Sequence, residues 1–124
     1  MSRLISDLSP EMQPLCNEWC AKMDTAGIDY LITCTGRTQS EQEELYALGR
    51  TKPGKIVTWT LNSKHLTGDA FDFCIMFAGR PDWKMVQKDS WVRAVEIGRE
   101  LGLTQVINKD GKVLEYAHLQ RSLT

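Results

Sequence analysis

Two histidines occur in the 124 residues, and each stands near a carboxylate at a spacing that suggests shared work. The first cluster is Ser63-Lys64-His65-Leu66-Thr67-Gly68-Asp69-Ala70-Phe71-Asp72, and the second is Glu115-Tyr116-Ala117-His118. Asp72 falls inside an apolar run, where an ionised carboxylate is costly unless paired or coordinated. Gly68 lets the chain fold back so that His65 approaches Asp72, and the small Ala70 leaves room on the face they share. His65, Asp72 and His118 together offer two imidazole nitrogens and one carboxylate oxygen. That set suits Zn2+ with a fourth position left for water, the pattern of catalytic sites. Zinc lowers the pKa of its water from 15.7 to about 7, so Glu115 would serve as general base toward zinc-bound water. Residues three apart on a regular strand point to opposite faces, so Glu115 and His118 converge only if the backbone is irregular near Ala117. Each residue taken singly has a plainer reading. Asp72 suits an ion pair with an arginine, Glu115 an exposed strand position, and either histidine a hydrogen-bonded one.

Arg37, in Thr35-Gly36-Arg37-Thr38, follows an apolar run and precedes a helix start. A guanidinium beside free backbone N–H groups favours a carboxylate, and a solvated loop arginine is the alternative. Gln42, one turn into that helix, either adds a hydrogen bond or faces water. Trp59 and Trp83 fall in loop-like stretches, where they line a groove or pack over the edge of the core.

Several elements must position these groups. A helix is expected over residues 9–26, with Ser9 as N-cap, Gly27 past its end, and Met12, Leu15, Cys16, Trp19, Cys20 and Met23 on one face. Tyr30 to Cys34 reads as a buried strand. Thr38 and Glu41 form a capping box that opens a helix to about Leu48, stopped by Gly49. Residues 49–63 read mostly as loop, with a short strand at Lys55 to Thr58. Asp69 to Phe77 reads as a central strand with Phe71, Phe73 and Ile75 on one face and Ala70, Asp72 and Cys74 on the other. A third helix, capped by Asp89 or Ser90, runs to about Leu101 with Trp91, Val95, Gly98 and Leu101 inward. Thr104 to His118 reads as a hairpin turning at Asp110-Gly111. The expected fold is α+β: about three helices against a small, mostly antiparallel sheet.

Composition sets the limits. One domain over residues 1–124 is expected, because two cores in this length would each be too small. The 15 Lys+Arg against 16 Asp+Glu argue against broad binding to nucleic acid or anionic lipid. No apolar run approaches the roughly 18–20 residues that span a bilayer, so no membrane insertion is expected. The first ten residues lack the pattern of a secretory signal, which implies synthesis in the cytoplasm. The four cysteines read as free thiols packed in the core rather than as disulfides.

The motif Ser63-x-His65-x-x-Gly68-x-Ala70-x-Asp72, followed by Glu115-x-x-His118, resembles the zinc peptidases of the D-alanyl-D-alanine carboxypeptidase type. That family includes VanX- and VanY-like enzymes and phage endolysins acting as L-alanyl-D-glutamate peptidases. Gly36-Arg37-Thr38, Gln42, Leu45-Tyr46 and the stretch from Gly49 to Thr58 (GRTKPGKIVT) resemble the endolysin branch in particular. The resemblance implies the following roles. His65, Asp72 and His118 match the zinc ligands, and Glu115 the general base. Arg37 matches the residue that holds substrate and developing oxyanion charge, and Ser63 the small polar residue beside the first ligand, with Gln42 near the substrate. It implies the Hedgehog-type α+β domain, a peptidoglycan stem peptide as substrate, and one catalytic Zn2+. The sequence departs from the family in having Glu115 where Asp is usual and Ala117 where Pro is frequent. Residues 105–112 also replace a Trp- and Gly-rich segment.

The expected activity is hydrolysis of the L-alanyl-D-glutamate bond by a monomer. It would act on the wall of a phage or prophage host after a holin-type pore releases it. A D,D-carboxypeptidase or dipeptidase on D-Ala-terminated peptides is the second reading. A non-catalytic wall-binding module that keeps zinc for stability is the third.

Overall fold

Trp19 is the residue around which the helices and the sheet close. In the computed structural model its ring meets Tyr30, Phe71 and Phe73 at centroid distances of 5.1, 5.2 and 5.0 Å. Its indole N–H, which must find an acceptor once buried, donates to the Ala94 carbonyl at 2.9 Å. The structure describes residues 1–107 and 113–121, without the side chains of 107 and 113–115.

Helix α1 (Met12–Thr25) buries Met12, Cys16, Trp19 and Met23, a stripe at three- and four-residue spacing. Ser9 supports its start from outside, its Oγ accepting from Met12 N at 3.2 Å. Strand β1 (Tyr30–Cys34) follows, then helix α2 (Gln39–Ala47), whose start is the expected capping box between Thr38 and Glu41. The long β2 (Ala70–Phe77) and two-residue β3 (Arg80–Pro81) lead to α3 (Lys88–Glu100), β4 (Leu103–Ile107) and β5 (Val113–Arg121). The sheet order is β1-β2-β5-β4, with β3 pairing β2 to one side, and all these pairings are antiparallel. Phe71, Phe73, Ile75 and Leu119 join Trp19 and Trp91 in one buried cluster.

Two expectations change. The helix α3 start is satisfied by neither Asp89 nor Ser90. Asp82, from the preceding loop, accepts from Val86 N, Gln87 N and the Trp91 indole at 3.0, 2.8 and 3.1 Å. Its carboxylate thus meets the helix dipole and a buried donor together, which a residue adjacent in sequence could not do. Lys55 to Thr58 forms no strand; Thr58 is instead buried against α2, its Oγ1 accepting from Gln42 Nε2 at 3.3 Å. The expected turn at Asp110-Gly111 lies outside the described residues. The four cysteines are free, as expected. No helix among the described residues is long and apolar enough to cross a membrane.

Candidate metal and substrate site

Sheet register puts three side chains in one row. Cys34 on β1 stands opposite Asp72 on β2, and Asp72 stands opposite His118 on β5. Directly paired residues share a face, so all three point to the side of the sheet away from Phe71 and Phe73. His65 arrives from a single 3-10 turn, Lys64–Thr67, immediately before β2. Ser63 begins that turn by accepting from His65 N at 3.2 Å. Gly68 ends it with a φ of +74°, and a Cβ there would lie 2.6 Å from Ser9 N. Only glycine combines that backbone conformation with so close an approach.

His65 Nε2 and His118 Nδ1 converge on one oxygen, Asp72 Oδ1, at 3.0 and 3.1 Å. The far side of each ring is engaged as well. His65 Nδ1 lies 2.8 Å from the Thr35 carbonyl, and His118 Nε2 lies 3.0 Å from Gln120 Oε1. A carbonyl oxygen only accepts, so the outer nitrogen of each ring carries a proton, while the inner nitrogens face the Asp72 carboxylate, which is an acceptor as well. Both histidines are buried, and the rings meet edge-on at 4.9 Å between centroids.

Electrostatics follow from this crowding. Burial disfavours a charged His65, but hydrogen bonds with Asp72 and Cys34 prevail and raise its pKa to about 10. Burial likewise opposes the Asp72 carboxylate, and the two imidazoles outweigh it, holding the group far below the usual carboxylate range. Cys34, which sequence reasoning placed simply in the core, borders the site. Its Sγ lies 3.8 Å from His65 Nδ1 and accepts from Arg37 Nη2 at 3.5 Å. Burial pushes that thiol up, while His65 and Arg37 pull it further down, so its pKa is lowered. One donor from each of Cys34, His65 and Asp72 lies within 4.8 Å of the others, a grouping able to hold a metal ion. The available signal was that Cys34 ends the strand immediately before the arginine loop.

Arg37 is tied to the same centre. Its backbone N–H donates to the His65 carbonyl at 3.1 Å, and its Nη2 lies 3.6 Å from Asp72 Oδ2. The side chain is 9% exposed, which excludes the solvated-loop alternative. Gln42 is fully buried behind it, accepting from Arg37 Nη1 at 2.7 Å and donating to the Thr60 carbonyl at 2.6 Å. Arg37 Nε is buried without a hydrogen-bond partner among the described residues.

Glu115 sits on β5 opposite Val106, and its side chain lies outside the described residues. The expected irregularity is present. From the pair Thr104–Gln120 to the pair Val106–Glu115 the register advances two residues on β4 and five on β5. The surplus falls across residues 116–119, which include Ala117, and Gln105 Nε2 donates to the Tyr116 carbonyl at 3.2 Å.

Cys34, Arg37, Asp72 and His118 open into a cavity of about 520 Å3 rimmed by Val57, Trp83 and Tyr116. A second cavity of about 290 Å3 lies against His118 and Gln120, with Trp59 on its wall.

No family model matches the chain. Its fold is that of a Serratia marcescens L-Ala D-Glu endopeptidase, ChiX, with a TM-score of 0.65 at 22% identity over 95% of this chain and 83% of that one. The vancomycin-resistance D,D-dipeptidase VanXYg, solved with a D-Ala-D-Ala phosphinate analogue, also gives 0.65, at 20% identity over 92% and 50%. The LdcB LD-carboxypeptidase gives 0.65 at 19% identity over 92% and 65%. In sequence, the chain is similar to the peptidoglycan L-alanyl-D-glutamate endopeptidase CwlK of Bacillus subtilis (strain 168), with 38% identity over 106 residues. That match takes in 78% of this chain and spans about 64% of the relative's length.

Proposed function

We propose that the chain is a zinc-dependent peptidoglycan peptidase of the endolysin type that hydrolyses the L-alanyl-D-glutamate bond of the stem peptide. The observation that carries this reading is the convergence of two imidazole nitrogens on Asp72 Oδ1 at 3.0 and 3.1 Å. The donor set fits the metal. Acceptors on the outer sides of both rings turn the inner nitrogens toward a shared position, the arrangement that orients metal-binding histidines. His65 offers Cys34 its Nδ1, which already faces the Thr35 carbonyl, and offers Asp72 its Nε2. An ion between the strands would therefore be held by His65, Asp72 and His118, with Cys34 behind the ring.

Zinc in that place supplies a Lewis acid and an acidified water. The remaining work belongs to the protein. Glu115 accepts the proton of the attacking water and returns it to the leaving amine. Arg37 presents a guanidinium at the cavity beside Asp72, where it would meet a substrate carboxylate or the developing oxyanion. Gln42 holds that guanidinium from behind. Ser63 fixes the turn that carries His65. The kinship with CwlK supports the choice of bond.

Replacing Glu115 by Ala tests the assignment. Zinc content and melting temperature stay at the native values, while kcat on purified muropeptides falls by roughly 10²–10⁴-fold. Native turnover in the variant refutes the general-base role. Mass spectrometry of the products decides between readings: free stem peptides beginning at D-glutamate support the endopeptidase, and loss of a single D-alanine supports a D,D-carboxypeptidase. A zymogram that stays dark with and without chelator favours the non-catalytic module.

A further inference from the structure

His118 stands between two cavities, and only one of them is accounted for by the chemistry above. The larger contains Arg37 and Asp72. The smaller, about 290 Å3, lies against His118 and Gln120 and is walled by Trp59, Thr60, Asn62 and Ser63, with Lys64 beside them. Its volume falls just below the range for small-ligand sites, about 300–1,000 Å3, and suits a single ring.

Trp59 is exposed at 55%, an unusual state for a large apolar ring, yet its position is held. The Arg50 guanidinium lies 3.8 Å from the centroid of the Tyr46 ring and 5.8 Å from that of Trp59, so helix α2 and the cation brace the indole from one side. Hydroxyl and amide side chains surround it. A flat apolar ring beside hydroxyl and amide groups, with Lys64 and the apolar Val106 completing the wall, matches a pyranose, which has apolar C–H faces and a polar rim.

The substrate class has the same asymmetry. Beyond the scissile bond on the glutamate side, the stem carries free carboxylates. On the alanine side it carries an uncharged lactyl ether of an N-acetylated amino sugar. The Arg37 guanidinium, held by Gln42 on the wall of the larger cavity, is a charged fork suited to a carboxylate, so the glutamate side belongs there. The chain direction then carries the sugar past His118 toward Trp59.

We infer that the Trp59 cavity is a subsite for the amino sugar on the alanine side of the cleaved bond, with the indole as its stacking platform. The inference rests on the proposed peptidase reading and adds to it a requirement for glycan.

Two substrates test it: an N-acetylmuramoyl stem peptide, and the same peptide with an N-acetyl group in place of the lactyl sugar. Trp59→Ala lowers the ratio of their kcat/KM values about tenfold, through KM of the sugar-bearing substrate, as expected when one stacked ring face returns to water. Trp59→Phe retains most of the ratio. Calorimetry with the product N-acetylmuramoyl-L-alanine reads the same subsite without turnover, and Trp59→Ala weakens its binding about tenfold. An unchanged ratio, an equal loss on both substrates, or native affinity for the sugar product in Trp59→Ala overturns the subsite. Failure of the wild-type chain to cut the alanyl-glutamate bond in either substrate overturns the peptidase reading instead.

Discussion

The metal-free site carries a proton that zinc must displace, and this makes affinity steeply dependent on pH. His65 has a pKa of about 10 because hydrogen bonds with Asp72 and Cys34 outweigh its burial. Its Nε2 is the nitrogen that faces Asp72, so coordination requires that nitrogen to lose its proton. Below pH 10, each unit of rising pH then tightens zinc binding about tenfold. Between pH 6.5 and 8.5 the apparent affinity should rise about a hundredfold, with close to one proton released per ion bound. Calorimetry in two buffers of different ionisation enthalpy, with a competing chelator, measures both quantities. A Kd constant across that interval, or binding without proton release, refutes the assignment of Nε2 as the ligand. A linked effect has the opposite sign. The folded pKa lies above the unfolded value of about 6.5, so the ion pair stabilises the metal-free protein fully below pH 6.5 and ceases to do so as pH rises through about 10. The melting temperature of the chelated protein should fall over that range.

Two substitutions probe the supports of the site. Gln120→Leu removes the acceptor opposite His118 Nε2 and should weaken zinc binding about 10- to 100-fold without unfolding the protein; a Kd within twofold of native contradicts that role. Gly68→Ala places a Cβ 2.6 Å from Ser9 N at a φ of +74°, so thermal unfolding should reveal a loss of about 2 kcal/mol or more, and native stability would show that the turn has room to relax.

Much of this site is legible before folding because chemistry and spacing constrain each other. An aspartate inside an apolar strand must meet a partner, and both histidines of the sequence reach it, His118 through the sheet register and His65 from the turn before β2. The irregularity on β5 follows from a parity argument, since two residues three apart cannot otherwise serve one site. Helix α1 and the capping box of α2 are written in local patterns. Other features depend on the tertiary structure. Asp82 reaches the start of α3 through a loop whose path no local pattern encodes. Cys34 reads as a small apolar residue until strand pairing sets it opposite Asp72. Gln42 reads as either a hydrogen-bonding or a water-facing residue until the loop at Thr58 and Thr60 covers it and makes it the brace of Arg37.

Whether His65, Asp72 and His118 share one zinc ion is decided by metal analysis after dialysis of the wild-type chain, His118→Ala and Cys34→Ser. One zinc per chain in the wild type and in Cys34→Ser, with none in His118→Ala, is the predicted result. Zinc retained by His118→Ala and lost from Cys34→Ser would contradict it and move the metal to the neighbouring thiol set.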